Sequence, residues 1–236
     1  MNVGQHIEVA PANWSFAGNV ADTFVEHVRR SVPYYDAGHE LVCGISDFFC
    51  HADSVCYEIG VSTGQLLRRL AEHHETKPDI QWIGIDPVEA MVSKAQHHCA
   101  GLRNVQVEVG DARLYDFRKS DLIVSYYCMQ FIQPRFRQDV YDRLYERLNW
   151  GGALILFEKV RAPDARFQDM LVSLYNDYKR GEGFTADEIL NKTASLKSVL
   201  EPFSTEANLG LLRRAGFVDV MTVMKYLCFE GFLAIK

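Results

Sequence analysis

The chain lacks any 18-residue apolar run, the minimum for a membrane-crossing helix. It also lacks a surplus of positive charge. Lysine and arginine number 25 against 31 acidic residues, a net charge of −6. A protein that tracks phosphates needs a basic face, so neither a nucleic-acid nor a membrane partner is expected. The six cysteines, at positions 43, 50, 56, 99, 128 and 228, include no C-x-x-C pair. Several sit inside apolar runs such as Val42-Cys43 and Leu227-Cys228-Phe229. Buried free thiols are therefore expected in place of a disulfide framework or a metal site. All eight histidines fall within the first 98 residues, which argues against a His-centred metal or a His base further along, and no metal is expected. The N-terminal residues do not resemble a secretory leader. The default expectation is a soluble, reducing, cytoplasmic setting.

The composition is ordinary for a globular protein. It has 48% hydrophobic and 24% charged residues over 236 positions, enough for one α/β domain with an elaboration. The most informative stretch is Val55-Cys56-Tyr57-Glu58-Ile59-Gly60-Val61-Ser62-Thr63-Gly64. An apolar run ends in an acid, two glycines follow four apart, and a helical pattern starts at Gln65. That is a strand, a tight turn and a helix, the opening of a nucleotide-binding sheet. The spacing is E-x-G-x-x-x-G, with Ser62 where a dinucleotide fingerprint has its middle glycine. An acid at the strand end suits a cationic ligand group better than a pyrophosphate, which favours S-adenosylmethionine over NAD. Any βα turn could carry this motif alone, so the signals that follow it decide its meaning.

Before the motif, apolar residues at helical spacing predict one helix from Val20 to Ser31, with Asn19 as N-cap. They predict a second from about Tyr35 to His51. After it, strands are expected at Val55–Ile59, Ile80–Ile85, Val105–Val109, Leu122–Ser125 and Ala153–Phe157, alternating with helices. The β-α repetition implies a mostly parallel sheet with helices on both faces. From Pro163 to about Leu200 two helices follow one another without a strand, the second opened by the capping box Thr185-Ala186-Asp187-Glu188. A last helix, about Ser204–Ala215, precedes strands at Val218–Met224 and Tyr226–Ile235, an antiparallel edge. The expected organisation is an N-terminal arm and helical cap (1–52), a cofactor-binding core (53–160), a helical lid inserted after the fifth strand (161–203), and a final helix with the terminal hairpin (204–236).

Asp86 ends the second strand, with Pro87 beside it. Its carboxylate can accept from both hydroxyls of a ribose; the plainer alternative is a cap for the next helix. Gly110-Asp111-Ala112 follows the third strand, where an acid can receive an adenine amine. Asn149-Trp150-Gly151-Gly152 leads into the fifth. In this order the signals resemble the class I S-adenosylmethionine-dependent methyltransferases. That resemblance implies a Rossmann-like α/β fold whose seven-stranded, mostly parallel sheet has an antiparallel terminal strand, with S-adenosyl-L-methionine as cofactor and S-adenosyl-L-homocysteine as its product.

A closer resemblance rests on Ser31-Val32-Pro33-Tyr34-Tyr35, Met129-Gln130-Phe131-Ile132-Gln133-Pro134, Glu158-Lys159, Asn176-Asp177-Tyr178-Lys179-Arg180 and Arg214-Ala215-Gly216-Phe217. In this order they resemble the carboxy-S-adenosyl-L-methionine synthase family, over nearly the whole chain. That family is homodimeric and makes a carboxylated cofactor from S-adenosylmethionine and prephenate for tRNA wobble-uridine modification. The resemblance implies cofactor contacts at Tyr35, Gly60, Val61, Ser62, Asp86, Asp111 and Ala112, to which the turn adds Glu58 and Gly64. Two positions depart. Ser125 stands where the family has an asparagine. Leu211 stands where it has the arginine that holds the extra carboxylate, and leucine cannot neutralise a buried anion.

The expected activity is therefore methyl transfer to a small acceptor, such as an α-keto acid methylated at carbon. The alternatives are the synthase reaction and a catalytically silent cofactor-binding partner subunit. If the acceptor must lose a proton, the candidate side chains are Tyr126, Glu158 and Tyr175, with Tyr127, Lys159 and Tyr178 nearby. The lid cations Arg161, Arg166, Lys179, Arg180, Lys192 and Lys197 read mainly as solvated helix charges. The expected partners are a small-molecule substrate and a second copy of the chain, as a homodimer.

Overall fold

A computed structural model describes residues 2–3, 9–16 and 20–236; the expected N-cap Asn19 lies outside them. Eight helices and seven strands follow in chain order among these residues. Helices α1 (Val20–Ser31) and α2 (Tyr35–Ser46) precede the first strand. Then come β1 (Val55–Ile59), α3 (Gln65–His73), β2 (Gln81–Asp86), α4 (Glu89–His98), β3 (Val105–Val109), β4 (Ser120–Tyr126), α5 (Pro134–Arg147) and β5 (Leu148–Lys159). The insertion is α6 (Ala165–Gly181) and α7 (Ala186–Ser195). Helix α8 (Thr205–Ala215), β6 (Asp219–Tyr226) and β7 (Phe229–Ile235) complete the chain.

The sheet order is β3-β2-β1-β4-β5-β7-β6, and only β7 runs antiparallel to its two neighbours. The α/β Rossmann-like arrangement expected from the motif order is the one observed. The order reverses between β1 and β4. Crossovers leave in opposite directions there and open a crevice at the carboxyl ends of the strands. Strand alternation divides the core into two layers. Cys56, Leu122, Val124, Tyr126, Ile155 and Phe157 face α2 and α3, whereas Tyr57, Ile123, Leu154 and Leu156 face α5 and α8.

Three elements depart from expectation. Helix α2 stops at Ser46, because Ser46 Oγ bonds the Cys43 carbonyl and a tight turn follows, with Phe48 N–H on Ile45 O and Phe49 N–H on Ser46 O. Strand β5 starts earlier, at Leu148, because Leu148 pairs with Ser120 across a bulge that Gly151 turns at φ 79°. Strands β6 and β7 meet at a turn on Leu227, so the second begins at Phe229. The capping box on α7 forms both bonds: Glu188 N–H donates to Thr185 Oγ1 and Thr185 N–H to Glu188 Oε2. No helix among the described residues is long and apolar enough to cross a membrane.

The α6–α7 insertion packs onto the N-terminal segment. Ala12 and Trp14 N–H donate to Ala194 O and Ser195 O. Arg30 donates to Glu182 O, and Tyr175 Oη to Ser31 O. These bonds roof the crevice.

Candidate active site

Beneath the roof lies a cavity of about 730 Å³. At one end, Gly60 follows β1 at φ 73°, a conformation glycine adopts freely. Its N–H and that of Val61 donate to Ile85 O, 2.8 and 3.0 Å away, which ties the turn to β2. A Cβ on Gly60 would collide with the Cys128 side chain. Gly64 caps α3 at φ 79° and lies against Ala95 of α4. It shapes the turn but does not line the cavity. Asp86 accepts from Ser62 N–H at 3.0 Å and Val88 N–H at 2.9 Å. Asp86 thus organises the turn and the next helix, the plainer of its two readings, and its oxygens retain lone pairs. Burial raises its pKa, against the pull of those two bonds.

Tyr35, Glu58, Gly60, Val61, Ser62, Asp86 and Pro87 line this end of the cavity. Glu58 is buried, and its Oε2 has no hydrogen-bond partner. Burial pushes its pKa well up, with the Asp86 charge adding to the effect. An orphaned acid oxygen beside a glycine turn and a second, ribose-competent carboxylate suit the cationic, hydroxyl-bearing S-adenosylmethionine. Asp111 and Ala112 stand outside the cavity wall. Asp111 is taken up by Arg113, whose Nε lies 3.0 and 2.9 Å from its two oxygens. Those bonds hold its pKa below the ordinary value. Ala112 is buried in the α5-side core.

Two expected residues point the wrong way, for one reason. A one-residue step along a strand exchanges its faces. Ser125 pairs with Leu156 on the α5 side and is fully buried there, so the residue at the strand edge that reaches the cavity is Tyr126. Glu158 likewise faces the α5 side, where it accepts from Gln130 N–H at 3.3 Å. Burial pushes it up to about 8, with the Arg137 charge opposing. Lys159, one residue on, lines the cavity. Tyr126 and Tyr175 both line it too, but each hydroxyl is committed to a carbonyl: Tyr35 O and Ser31 O, both at 2.7 Å. Burial raises both phenols far above their usual range. Neither is set to accept a proton. Leu211 is 3% exposed, packs with Leu212 and Phe217 in the α5–α8 layer, and lies outside the cavity.

The cavity wall also gathers three lysines, Lys159, Lys179 and Lys192, that the sequence reading left apart, Lys159 among the tyrosine candidates and the other two as mainly solvated charges. The Nζ atoms of Lys159 and Lys179 stand 4.5 and 4.4 Å from the Tyr175 ring centre, and Lys192 lies against the Trp14 ring. Among the described residues the lysines in ion pairs are Lys94 and Lys225, so none of these three has an acidic partner. Burial, with the Lys159 charge next, lowers Lys179 to about 8. Burial also lowers Lys159, and it lowers Lys192 together with the Lys179 charge. Helical periodicity could have indicated that Lys179 shares a face with Tyr175; nothing local marked it as buried. Among the described residues, one trio has donor atoms in metal-binding range: Asp47, His73 and His74, at the C-terminal ends of α2 and α3. There His73 is hydrogen-bonded to Asp47 and His74 to Ser46.

Residues 57–152 match a family model described as a methyltransferase domain. The chain is 32% identical over 225 residues to the carboxy-S-adenosyl-L-methionine synthase of Campylobacter lari, covering 94% of both chains. It is 34% identical over 227 residues to the synthase of the same name from Staphylococcus epidermidis, covering 96% of this chain and 98% of that one. Human N-acetylserotonin methyltransferase, solved in complex with S-adenosylmethionine, shares the fold at a TM-score of 0.56 and 15% identity, over 94% of this chain and 60% of that one.

Proposed function

Since the chain belongs to the carboxy-S-adenosyl-L-methionine synthase family and is an S-adenosylmethionine-dependent methyltransferase, we propose that it methylates a small carboxylate-bearing acceptor, such as an α-keto acid at carbon. The observation that carries this reading is the set of three lysines without acidic partners that line the cavity. A buried ammonium without a partner is costly, and an anionic ligand removes that cost. Metabolites with one or two carboxylates have the size and charge to do so.

When bound, S-adenosylmethionine supplies an electrophilic methyl carbon on a sulfonium and departs as S-adenosylhomocysteine. Glu58, the Gly60–Ser62 turn and Asp86 hold it, with Asp111 proposed for the adenine amine once Arg113 shares or releases that carboxylate. Lys159 and Lys192 hold the acceptor's carboxylate. Lys179, its pKa lowered to about 8 by burial and the Lys159 charge, is a cavity side chain suited to take a proton from an enolisable carbon. The lid and the N-terminal helices exclude water. Proximity of this kind supplies roughly 7–11 kcal/mol of the barrier reduction.

The test is incubation with S-adenosylmethionine and phenylpyruvate, 2-oxoglutarate or prephenate, read by mass spectrometry. Gain of one methylene by an acid, with release of S-adenosylhomocysteine, supports the reading. A second reading is favoured by the name its relatives carry: a carboxylated cofactor formed from prephenate in the same assay would replace methyl transfer with the synthase reaction. A homodimer in a soluble, cytoplasmic setting is part of the proposal.

A further inference from the structure

Four tyrosines, Tyr35, Tyr126, Tyr127 and Tyr175, line the cavity. Two have committed their hydroxyls to backbone carbonyls. Tyr127 has not. Its side chain is 8% exposed, and its hydroxyl has no hydrogen-bond partner. A buried donor left unmade is uncommon in a folded protein and calls for an explanation.

The backbone adds a second observation. Tyr127 adopts the left-handed conformation, at φ 57°, which a bulky residue occupies rarely and mostly at functional positions. Its N–H is nonetheless held, donating to Phe157 O at 2.8 Å. Regular alternation would send Tyr126 and Tyr127 to opposite faces of the sheet. The left-handed step puts both on the cavity wall. Tyr126, Phe157 and Phe229 then meet the ring edge-on, at centroid distances of 4.8, 5.9 and 5.8 Å. The strained backbone and the ring packing thus hold an unpaired hydroxyl in the cavity wall, beside Tyr126 and Tyr175 whose hydroxyls are committed.

We infer that Tyr127 Oη donates a hydrogen bond to an oxygen of the acceptor, a keto or carboxylate oxygen, while the lysines meet its charge. This rests on the carboxylate-acceptor reading. Burial, with the Glu158 charge next, keeps the phenol protonated, so it acts as a donor and not as a base. Acceptors without an oxygen at that point are discriminated against, because the hydroxyl then stays buried and unpaired.

The experiment is calorimetry and thermal melting of wild type and Tyr127→Phe with S-adenosylhomocysteine, and then with phenylpyruvate, 2-oxoglutarate and prephenate. Removing a hydroxyl that bonds nothing in the protein should leave the melting temperature of the free protein unchanged or raised, and S-adenosylhomocysteine affinity unchanged. The acid that the wild type binds should bind the variant about tenfold more weakly, the loss of one hydrogen bond. Equal affinity for that acid, or a lowered melting temperature of the free variant, overturns the Tyr127 assignment alone. If the wild type binds S-adenosylhomocysteine but none of the three acids, the carboxylate reading fails and the assignment fails with it.

Discussion

At the scale of single residues, most of the chemistry turns on what each polar group already has. Asp86 has two backbone N–H donors and room for more. Asp86→Ala should therefore weaken S-adenosylmethionine binding at least tenfold, since charged hydrogen bonds are worth about 1.5–3 kcal/mol each when buried. Unchanged affinity by calorimetry would remove the ribose assignment. Lys179 has no acid partner, and its pKa is lowered to about 8. Only its ammonium attracts an anion, so affinity for a carboxylate acceptor should fall as pH rises through about 8. Binding at or above that point should draw a proton onto the lysine, which is already charged below it. Lys179→Met should bind the acid more weakly at pH 7 and flatten the decline between pH 7 and 9. A parallel decline in the variant would assign the pH dependence to another group. The two carboxylates that line the cavity, Glu58 and Asp86, were legible in the sequence because they stand at strand ends at fixed positions. The lysines were not, because a cation on a helix looks the same whether it meets water or a cavity.

At the scale of elements, the strands were legible and their parity was not. A run such as Leu122–Ser125 is apolar on both faces, as expected for a strand buried on both sides, so no alternation showed which residues face the cavity. Ser125 and Glu158 were placed one residue off for that reason. Helix–strand fit was also invisible: Gly38 of α2 lies where the Tyr126 hydroxyl comes against the helix, and a Cβ there would clash with it. Gly38→Ala should cost about 1–3 kcal/mol through overpacking. The cost should shrink in a Tyr126→Phe background, where the obstructing oxygen is gone; a melting series over the four proteins reads that coupling, and strictly additive effects would refute the contact. On α8, Leu211 faces the core. Leu211→Arg should bury an unpaired charge at a cost of several kcal/mol and lower the melting temperature by roughly 5 °C or more. A variant as stable as wild type, with altered preference between S-adenosylmethionine and its carboxylated form, would instead place that position beside a cofactor.

At the scale of the whole molecule, the order of strand-end signals carried the fold, since a parallel sheet with one reversal has its crevice in one place. What it could not carry was the surface. The family resemblance supplied the reason to expect a second copy and helix α2 an apolar face for it, but Val42 and Cys43 are buried in the core and Leu41, Ile45 and Phe49 are partly covered, so mainly Phe48 remains exposed. An exposed apolar stripe lies on α6. Phe167, Met170 and Leu174, at i, i+3 and i+7, are 44, 52 and 51% exposed, a stripe along one helical face. Scattered apolar residues need no partner, whereas a contiguous stripe commonly marks an interface. Helix α6 also forms part of the roof, through Tyr175 on Ser31 and the Lys179 wall. A seam there would couple assembly to closure of the site. Light scattering should accordingly give a homodimer at micromolar concentration, and Met170→Lys combined with Leu174→Lys should give a monomer with weakened acceptor binding. A wild-type monomer would end the dimer proposal. A dimer that persists in the double variant would move the seam away from α6, and with it the link between assembly and the roof.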